Sequence, residues 1–215
     1  MDNNKIMSSP TENSHGYLEI ILGPMFASKT TRLIEIYNQC QFCHIPVVAI
    51  NHDIDNRYDQ DACIVTHDQI KIPCIKTNNL KNIWKPDIKV SSNAIGMTSQ
   101  SNGGCLITKY SKVILINEGQ FFEDLFETVS DMINYGKHVY VCGLDGDFER
   151  KKFGQILDLI PLCDKVTKLT SLCSKCKNGT PGIFSMRLTN EKEQTIVGSQ
   201  NYIPVCRSCY MSKKT

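Results

Sequence analysis

The sequence predicts an α/β fold with a mostly parallel sheet, followed by a small C-terminal ribbon of different character. Three observations predict it. Short apolar runs alternate with helical patterns from Gly16 to Leu144. The first run leads into a small-residue turn, after which Lys29-Thr30-Thr31 opens a helical pattern. Beyond about Leu169, two C-x-x-C pairs bracket short strand-like pieces.

Taken in order, Gly16–Leu22 reads as a first buried strand, and the helix after the turn runs to about Cys43. Pro46–Ile50 is a second short strand, ending in the polar stretch NHDIDNRYDQD. From Gln69 to Ile107 the pattern weakens into Asn, Ser, Lys and Gly, which predicts a long surface loop or insertion. Order returns with the strand Lys112–Asn117, a helix over Phe122–Tyr135 and a strand over His138–Leu144. The pieces SMRLT and QTIVG then read as an antiparallel hairpin or ribbon. The chain therefore divides into a disordered polar tail at 1–15, an α/β domain at 16–169 and a ribbon domain at 170–215.

The bulk numbers narrow the function. With 215 residues, 41% hydrophobic and 21% charged, the chain can bury one good-sized core. A formal net charge of +2 argues against a dedicated nucleic-acid binder. No apolar run approaches the roughly 20 residues that span a bilayer, so no membrane partner is expected. The polar N-terminal stretch lacks the apolar core of a signal peptide, which predicts a cytoplasmic protein. Eleven cysteines, an odd count lying mostly within apolar segments, then read as core residues or metal ligands rather than a disulfide scaffold.

Four of them stand apart. Cys173, Cys176, Cys206 and Cys209 form C-x-x-C…C-x-x-C. Two thiolates on one tight turn reach adjacent corners of a tetrahedron, and a second turn supplies the other two, which predicts a closed, structural Zn²⁺ site. A core-poor segment of this size needs such a staple. Cys40 and Cys43 share the spacing without a matching second pair, and core packing accounts for them better than a redox role.

The turn after the first strand has the layout of a phosphate-binding P-loop, G-x-x-x-x-G-K-[ST]. It comprises Gly23, Pro24, Met25, Phe26, Ala27, Ser28, Lys29, Thr30 and Thr31. Backbone N–H groups and a helix N-terminus would face phosphate oxygens there. Lys29 would neutralise charge, and Thr30 would bind Mg²⁺. Ser28 stands where the second glycine belongs. If that position needs a left-handed backbone, the cost is about 1–2 kcal/mol. Downstream, VILINEGQFF has the form of a strand ending in a metal-supporting acid, but that position is Asn117. Asn117 would give Mg²⁺ only weak support, Glu118 is placed to take a proton from an attacking hydroxyl, and Asp55 is a further candidate for the metal shell.

GPMFASKTT, DIDNRY, THD, NEGQFF, the block from Leu144 to Cys176 and GSQNYIPVCRSCY together resemble the thymidine kinases of the cytosolic, viral and bacterial type. The resemblance runs in order from about Gly16 to Tyr210. It implies a P-loop kinase domain plus a zinc-ribbon domain carrying a lasso over the nucleoside. It also implies transfer of the γ-phosphate of ATP to the 5′-hydroxyl of thymidine or deoxyuridine in nucleotide salvage. Glu118 matches the family's catalytic base, Lys29 and Thr30 its phosphate and Mg²⁺ ligands, and Asp55 and Arg57 its D-x-R support for metal and phosphates. Met25, Phe121, Leu144, Phe148 and Phe153 match the apolar wall around the base. Ser185 falls where the family contacts the pyrimidine edge, and Gln194, Ile196, Gly198 and Tyr202 match the lasso. Thymidine triphosphate as feedback inhibitor and a homotetramer (or dimer) are implied as well. Ser28, Asn117 and the longer segment after THD depart from the family pattern.

Two other readings stay open at this level. One is a catalytically degenerate relative that binds nucleoside or nucleotide. The other is a zinc-ribbon nucleic-acid module, which the acids Glu191 and Glu193 and the lack of an aromatic series disfavour.

Overall fold

The computed structural model describes residues 15–54, 62–66, 68–86, 105, 107–195 and 199–212. Six strands form a single parallel sheet: β1 (Tyr17–Leu22), β2 (Val47–His52), β5 (Ile75–Thr77), β6 (Val113–Ile116), β7 (His138–Gly143) and β8 (Lys165–Lys168). Their order across the sheet is β5-β2-β6-β7-β1-β8. A short antiparallel pair, β3 (Cys63–Val65) and β4 (Lys71–Pro73), lies outside it.

Both faces of the sheet are covered, which is why its strands read as near-continuous apolar runs. Along β1, Leu18, Ile20 and Leu22 enter one core, with Leu125, Val129 and Met132 of α2 (Leu125–Asn134) and with Ile156 and Leu159. Ile21, one residue out of phase, enters the other, against Leu33, Ile34, Ile36 and Cys40 of α1 (Lys29–Phe42). Glu19 faces the same way as Ile21. It is buried, accepts from Thr167 Oγ1 at 2.7 Å and Tyr17 Oη at 3.2 Å, and pairs with Lys165 at 3.0 Å, which anchors β8 to β1.

The parallel register sets the site. Leu22 lies beside Gly143, Ile116 beside Val141 and Ile50 beside Ile116, so β1, β2, β6 and β7 end along one edge. Ligands of open α/β sheets collect at that edge.

The C-terminal region is built differently. β9 (Ser171–Leu172) pairs with β10 (Pro181–Gly182), and β11 (Phe184–Arg187) with β12 (Tyr202–Val205), both antiparallel. A short helix, α3 (Arg207–Met211), follows, and Cys173, Met186, Val205, Cys206 and Tyr210 make a separate small core.

Four expectations need correction. Of the Cys40 and Cys43 pair expected to pack in the core, only Cys40 does, because Cys43 lies past the end of α1 and is exposed. The weakly patterned stretch from Gln69 is structured up to Trp84: it holds β4, β5 and a 3-10 turn at Leu80–Asn82, with Ile72, Leu80, Ile83 and Trp84 buried. Its strands are three residues long, too short for periodicity to register. β8 was not anticipated, because its solvent-facing pattern carries little apolar signal. Finally, the partner of the SMRLT strand is Tyr202–Val205, not QTIVG. Gln194 and Thr195 lie outside any strand, and the rest of QTIVG lies outside the described residues, as do most of the N-terminal tail and residues 87–104. Among the described residues no helix is long and apolar enough to cross a membrane.

Candidate active site

A cavity of about 380 Å³ opens at the carboxyl edge of the sheet. The turn after β1 brings Met25, Phe26, Ala27, Ser28, Lys29, Thr30 and Thr31 to its wall, and the end of β6 brings Asn117 and Glu118. The ends of other segments add Phe121, Leu144, Phe148 and Phe153, and the C-terminal unit adds Ser185, Gln194 and Tyr202. Segments more than 150 residues apart in the chain thus meet in one hollow. Gly23 and Pro24 do not line it. Gly23 sits behind the turn at φ 153°, where a Cβ would stand 2.5 Å from the Leu169 carbonyl oxygen. Asp55, Arg57, Ile196 and Gly198 lie outside the described residues.

The turn carries local strain. Ser28, the residue capping α1, is left-handed at φ 59°, and Phe26 stands at φ 63°. Lys29 Nζ donates to the Pro24 carbonyl at 2.8 Å, folding its ammonium back over the turn. The turn is also tied to the C-terminal unit: Met25 N donates to Ser185 Oγ at 2.9 Å. Glu118 is left-handed as well, at φ 51°, where β6 gives way to a 3-10 turn. Non-glycine residues in this region cost of order 1–3 kcal/mol and cluster where function over-determines the backbone.

Thr30 and Asn117, two of the three expected metal-side positions, are adjacent: Thr30 Oγ1 donates to Asn117 Oδ1 over a long 3.5 Å. The same oxygen accepts from Cys142 Sγ at 3.0 Å, while Asn117 Nδ2 donates to Asn51 Oδ1 at 3.0 Å. Asn117 is thus buried inside a polar network that an amide satisfies with both of its ends. Burial first, and then the nearby Glu118, pushes the Cys142 thiol up to about 12, so it stays a neutral donor. Oxygen donors of this kind could hold a hard cation, although the pair brings less charge than a carboxylate would.

Several further residues shape the cavity wall without a signature among the motifs. Gln120 bridges Glu118 and Leu144. Asp147 Oδ1 accepts from Glu149 N and Lys151 N, both at 2.9 Å, shaping the turn that presents Phe148, while Oδ2 accepts from Gln194 Nε2 at 2.8 Å. An aspartate opening D-x-x-x turns is a legible turn signal, so Asp147 could have been found. Arg187 is buried. It donates to the carbonyls of Glu191, Glu193 and Gln194 at 3.0, 2.6 and 3.1 Å, bonds Tyr202 Oη, and lies 3.7 Å over the Phe148 ring. It fastens the segment carrying Gln194 to the wall. His52 Nδ1 accepts from Ile54 N at 3.1 Å, and burial holds its pKa below the usual value, so a neutral imidazole places Ile54 at the cavity.

The four C-terminal cysteines converge. Their Sγ atoms all lie within 4.8 Å of one another. Cys176 stands 3.8 Å from Cys206 and 3.4 Å from Cys209. A tetrahedron with Zn–S of about 2.3 Å has edges of about 3.8 Å, so the donor set could hold a zinc ion.

A family model described as thymidine kinase matches residues 16–210. The chain belongs to the thymidine kinase family. It is 38% identical over 196 residues to the thymidine kinase of Yaba monkey tumor virus, covering 91% of this chain and 94% of that one. It is 38% identical over 204 residues to that of Choristoneura fumiferana entomopoxvirus, covering 92% and 98%. Against the human cytosolic thymidine kinase the identity is 34% over 209 residues, covering 97% and 79%. Within the thymidine kinase family this chain is an enzyme, and the hollow at its sheet edge is the candidate place for the chemistry.

Proposed function

We propose that the chain transfers the γ-phosphate of ATP, with Mg²⁺, to the 5′-hydroxyl of thymidine or deoxyuridine, in nucleotide salvage. The observation that carries the reading is that Glu118 and the turn bearing Lys29 and Thr30 open on one cavity that Phe121, Phe148, Phe153 and Tyr202 also line. In this reading Phe121, Phe148, Phe153, Met25, Leu144 and Tyr202 enclose the base, and Ser185, Gln194, Ile196 and Gly198 read its edge. A base with few polar handles is recognised by such a slot. The turn Gly23–Thr31, with Asp55 and Arg57, holds the triphosphate. Thr30, Asn117 and Asp55 would hold Mg²⁺, which supplies charge neutralisation between the phosphates. Glu118 accepts the proton of the 5′-hydroxyl as its oxygen attacks the γ-phosphorus and the bond from that phosphorus to the β,γ-bridging oxygen breaks, releasing ADP, while Lys29 stabilises charge spreading on the phosphoryl oxygens.

The same reading divides the chain into a kinase unit at 16–169 and a zinc-bearing lasso unit at 170–215, with Cys173, Cys176, Cys206 and Cys209 as ligands. It includes a homotetramer (or dimer), feedback by thymidine triphosphate, and work in the reducing cytoplasm, which suits eleven cysteines without a disulfide.

The test is steady-state phosphorylation of thymidine with Mg²⁺ titrated over a wide range. Wild-type turnover that falls by about 10²-fold or more in Glu118→Gln is expected, since general-base catalysis contributes about that much. One observation favours a second reading, a relative that binds nucleoside without turnover: Asn117 stands in a closed amide network where a carboxylate would serve the metal better. No monophosphate from wild type, with turnover restored by Asn117→Asp, would decide for it.

A further inference from the structure

Gln120 lines the cavity and is buried, with both ends of its amide engaged. Its Oε1 accepts from Leu144 N at 2.9 Å, and its Nε2 donates to Glu118 Oε2 at 2.7 Å. Leu144 offers a backbone N–H, which only an oxygen can answer, so the orientation of the amide is decided and Nε2 faces the carboxylate. The chain reserves space for this side chain. A Cβ on Gly143 would stand 2.3 Å from Gln120 Oε1, and one on Gly154 would stand 2.1 Å from the Gln120 carbonyl oxygen, at a φ of +59°. Gly119 lies between Glu118 and Gln120, and its Cβ would meet Val141 Cγ1 at 2.6 Å. Gly143 therefore leaves room for the amide itself, while Gly154 and Gly119 leave room for the main chain that carries it.

We propose that Gln120 is a positioning residue for Glu118, locking the plane of its carboxylate to the backbone of the base-side wall. The inference rests on the reading of Glu118 as the proton acceptor. A carboxylate at the end of a flexible side chain samples several rotamers, and only some bring an oxygen to an attacking hydroxyl. A fixed N–H on Oε2 selects one of them. Because the other end of the same amide grips Leu144, which lines the cavity, the distance between the bound base and the proton acceptor is set through a single side chain. Misplacement of about 1 Å costs on the order of 10²-fold in rate, so the lock acts on kcat rather than on affinity.

The experiment is a double-mutant cycle on the full chain, with thymidine and ATP kinetics and thermal midpoints for wild type, Gln120→Glu, Glu118→Gln and the double variant. Gln120→Glu keeps an acceptor for Leu144 N, but in place of the donor to Glu118 it sets a second carboxylate, and the two cannot both ionise at that distance. We expect its kcat to fall about 10- to 100-fold, with the thymidine KM within about twofold and the midpoint below wild type. In the Glu118→Gln background the same change is expected to alter kcat no further, because the two residues act as one unit. Gln120→Met, of similar volume, repeats the kcat test should the second carboxylate destabilise the fold. Wild-type kcat in both Gln120 variants, with Glu118→Gln inactive, overturns the positioning role and leaves the proton acceptor intact. Losses that multiply through the cycle overturn it too, since Gln120 would then act apart from Glu118. Full turnover in Glu118→Gln overturns the underlying assignment instead, and is seen before any Gln120 variant is read.

Discussion

Ser28 shows how one side chain can be both tolerated and costly. It takes the left-handed position at the mouth of α1, where glycine would sit without strain. The left-handed penalty of about 1–2 kcal/mol is reduced by the entropy glycine loses on folding, about 0.5–1 kcal/mol. Ser28→Gly is therefore expected to stabilise the protein by roughly 0.5–1 kcal/mol, read from urea denaturation. The substitution keeps the backbone N–H, so turnover is expected to hold or rise. Asn117 raises the opposite question. Its amide satisfies Asn51 and Cys142 together, and an aspartate there would bury a charge and lose the donor to Asn51. Asn117→Asp is expected to lower the Mg²⁺ needed for half-maximal turnover by about tenfold, while costing about 1–3 kcal/mol in stability without Mg²⁺. A thermal midpoint that rises steeply with Mg²⁺ in the variant, and little in wild type, checks both halves. Glu118 and Gln120 belong to this scale as well, because a strained backbone and a fixed amide aim a single carboxylate.

At the scale of elements, the joint between α2 and β7 is held by a buried lysine. Lys137 Nζ donates to the carbonyls of Lys109 and Ser111 at 2.5 and 2.7 Å and lies 5.7 Å over Trp84, pinning the segment before β6 to the joint. Burial, helped by Lys112 and Lys109, pushes its pKa down from 10.5 to about 8. Between pH 8 and 10.5 the unfolded chain then holds a proton that the folded chain does not, so stability rises with pH through this group. Below pH 8 both states are protonated, and the cost of the buried charge is fully present. The stability of wild type minus that of Lys137→Met is therefore expected to grow between pH 8 and 10. A flat difference, from denaturation curves at both pH values, would contradict it. The elements also explain where periodicity misleads. β4 and β5 are too short to show a period, yet Ile72 and Thr77 are buried, because a strand borrows its stability from a neighbour.

For the whole molecule, the central question is how a sheet and a small ribbon share one cavity. The ribbon has a core of only a few residues around its cysteines, and it docks on the sheet unit through Ser185 on Met25 N and through Tyr210 Oη donating to Phe148 O at 2.7 Å. Cys206 also caps α3, accepting from Cys209 N at 3.5 Å. Removing one thiolate should release this unit while the parallel sheet keeps its own two cores. Cys206→Ser is expected to lose bound zinc by elemental analysis and to raise the thymidine KM at least about tenfold, since ordering the lasso would then be charged against binding. Far-UV dichroism of the sheet unit is expected to persist. Loss of all cooperative unfolding would show instead that the two units are inseparable.

Much of this was legible in the chain itself. The parallel α/β order, the strand-turn-helix at Lys29 and the four cysteines are local patterns, and local patterns survive without coordinates because spacing and residue type carry them. The phenylalanines now seen lining the cavity came instead from the family resemblance. The tertiary structure alone decided that Ser28 is left-handed, that Asn117 answers Asn51 and Cys142, and that Gln120 and Arg187 serve the cavity. It also decided that β11 pairs with Tyr202–Val205. Each of these depends on residues distant in sequence meeting at a few ångströms, and a hydrogen bond fixes its partners by direction and distance, which no one-dimensional pattern records.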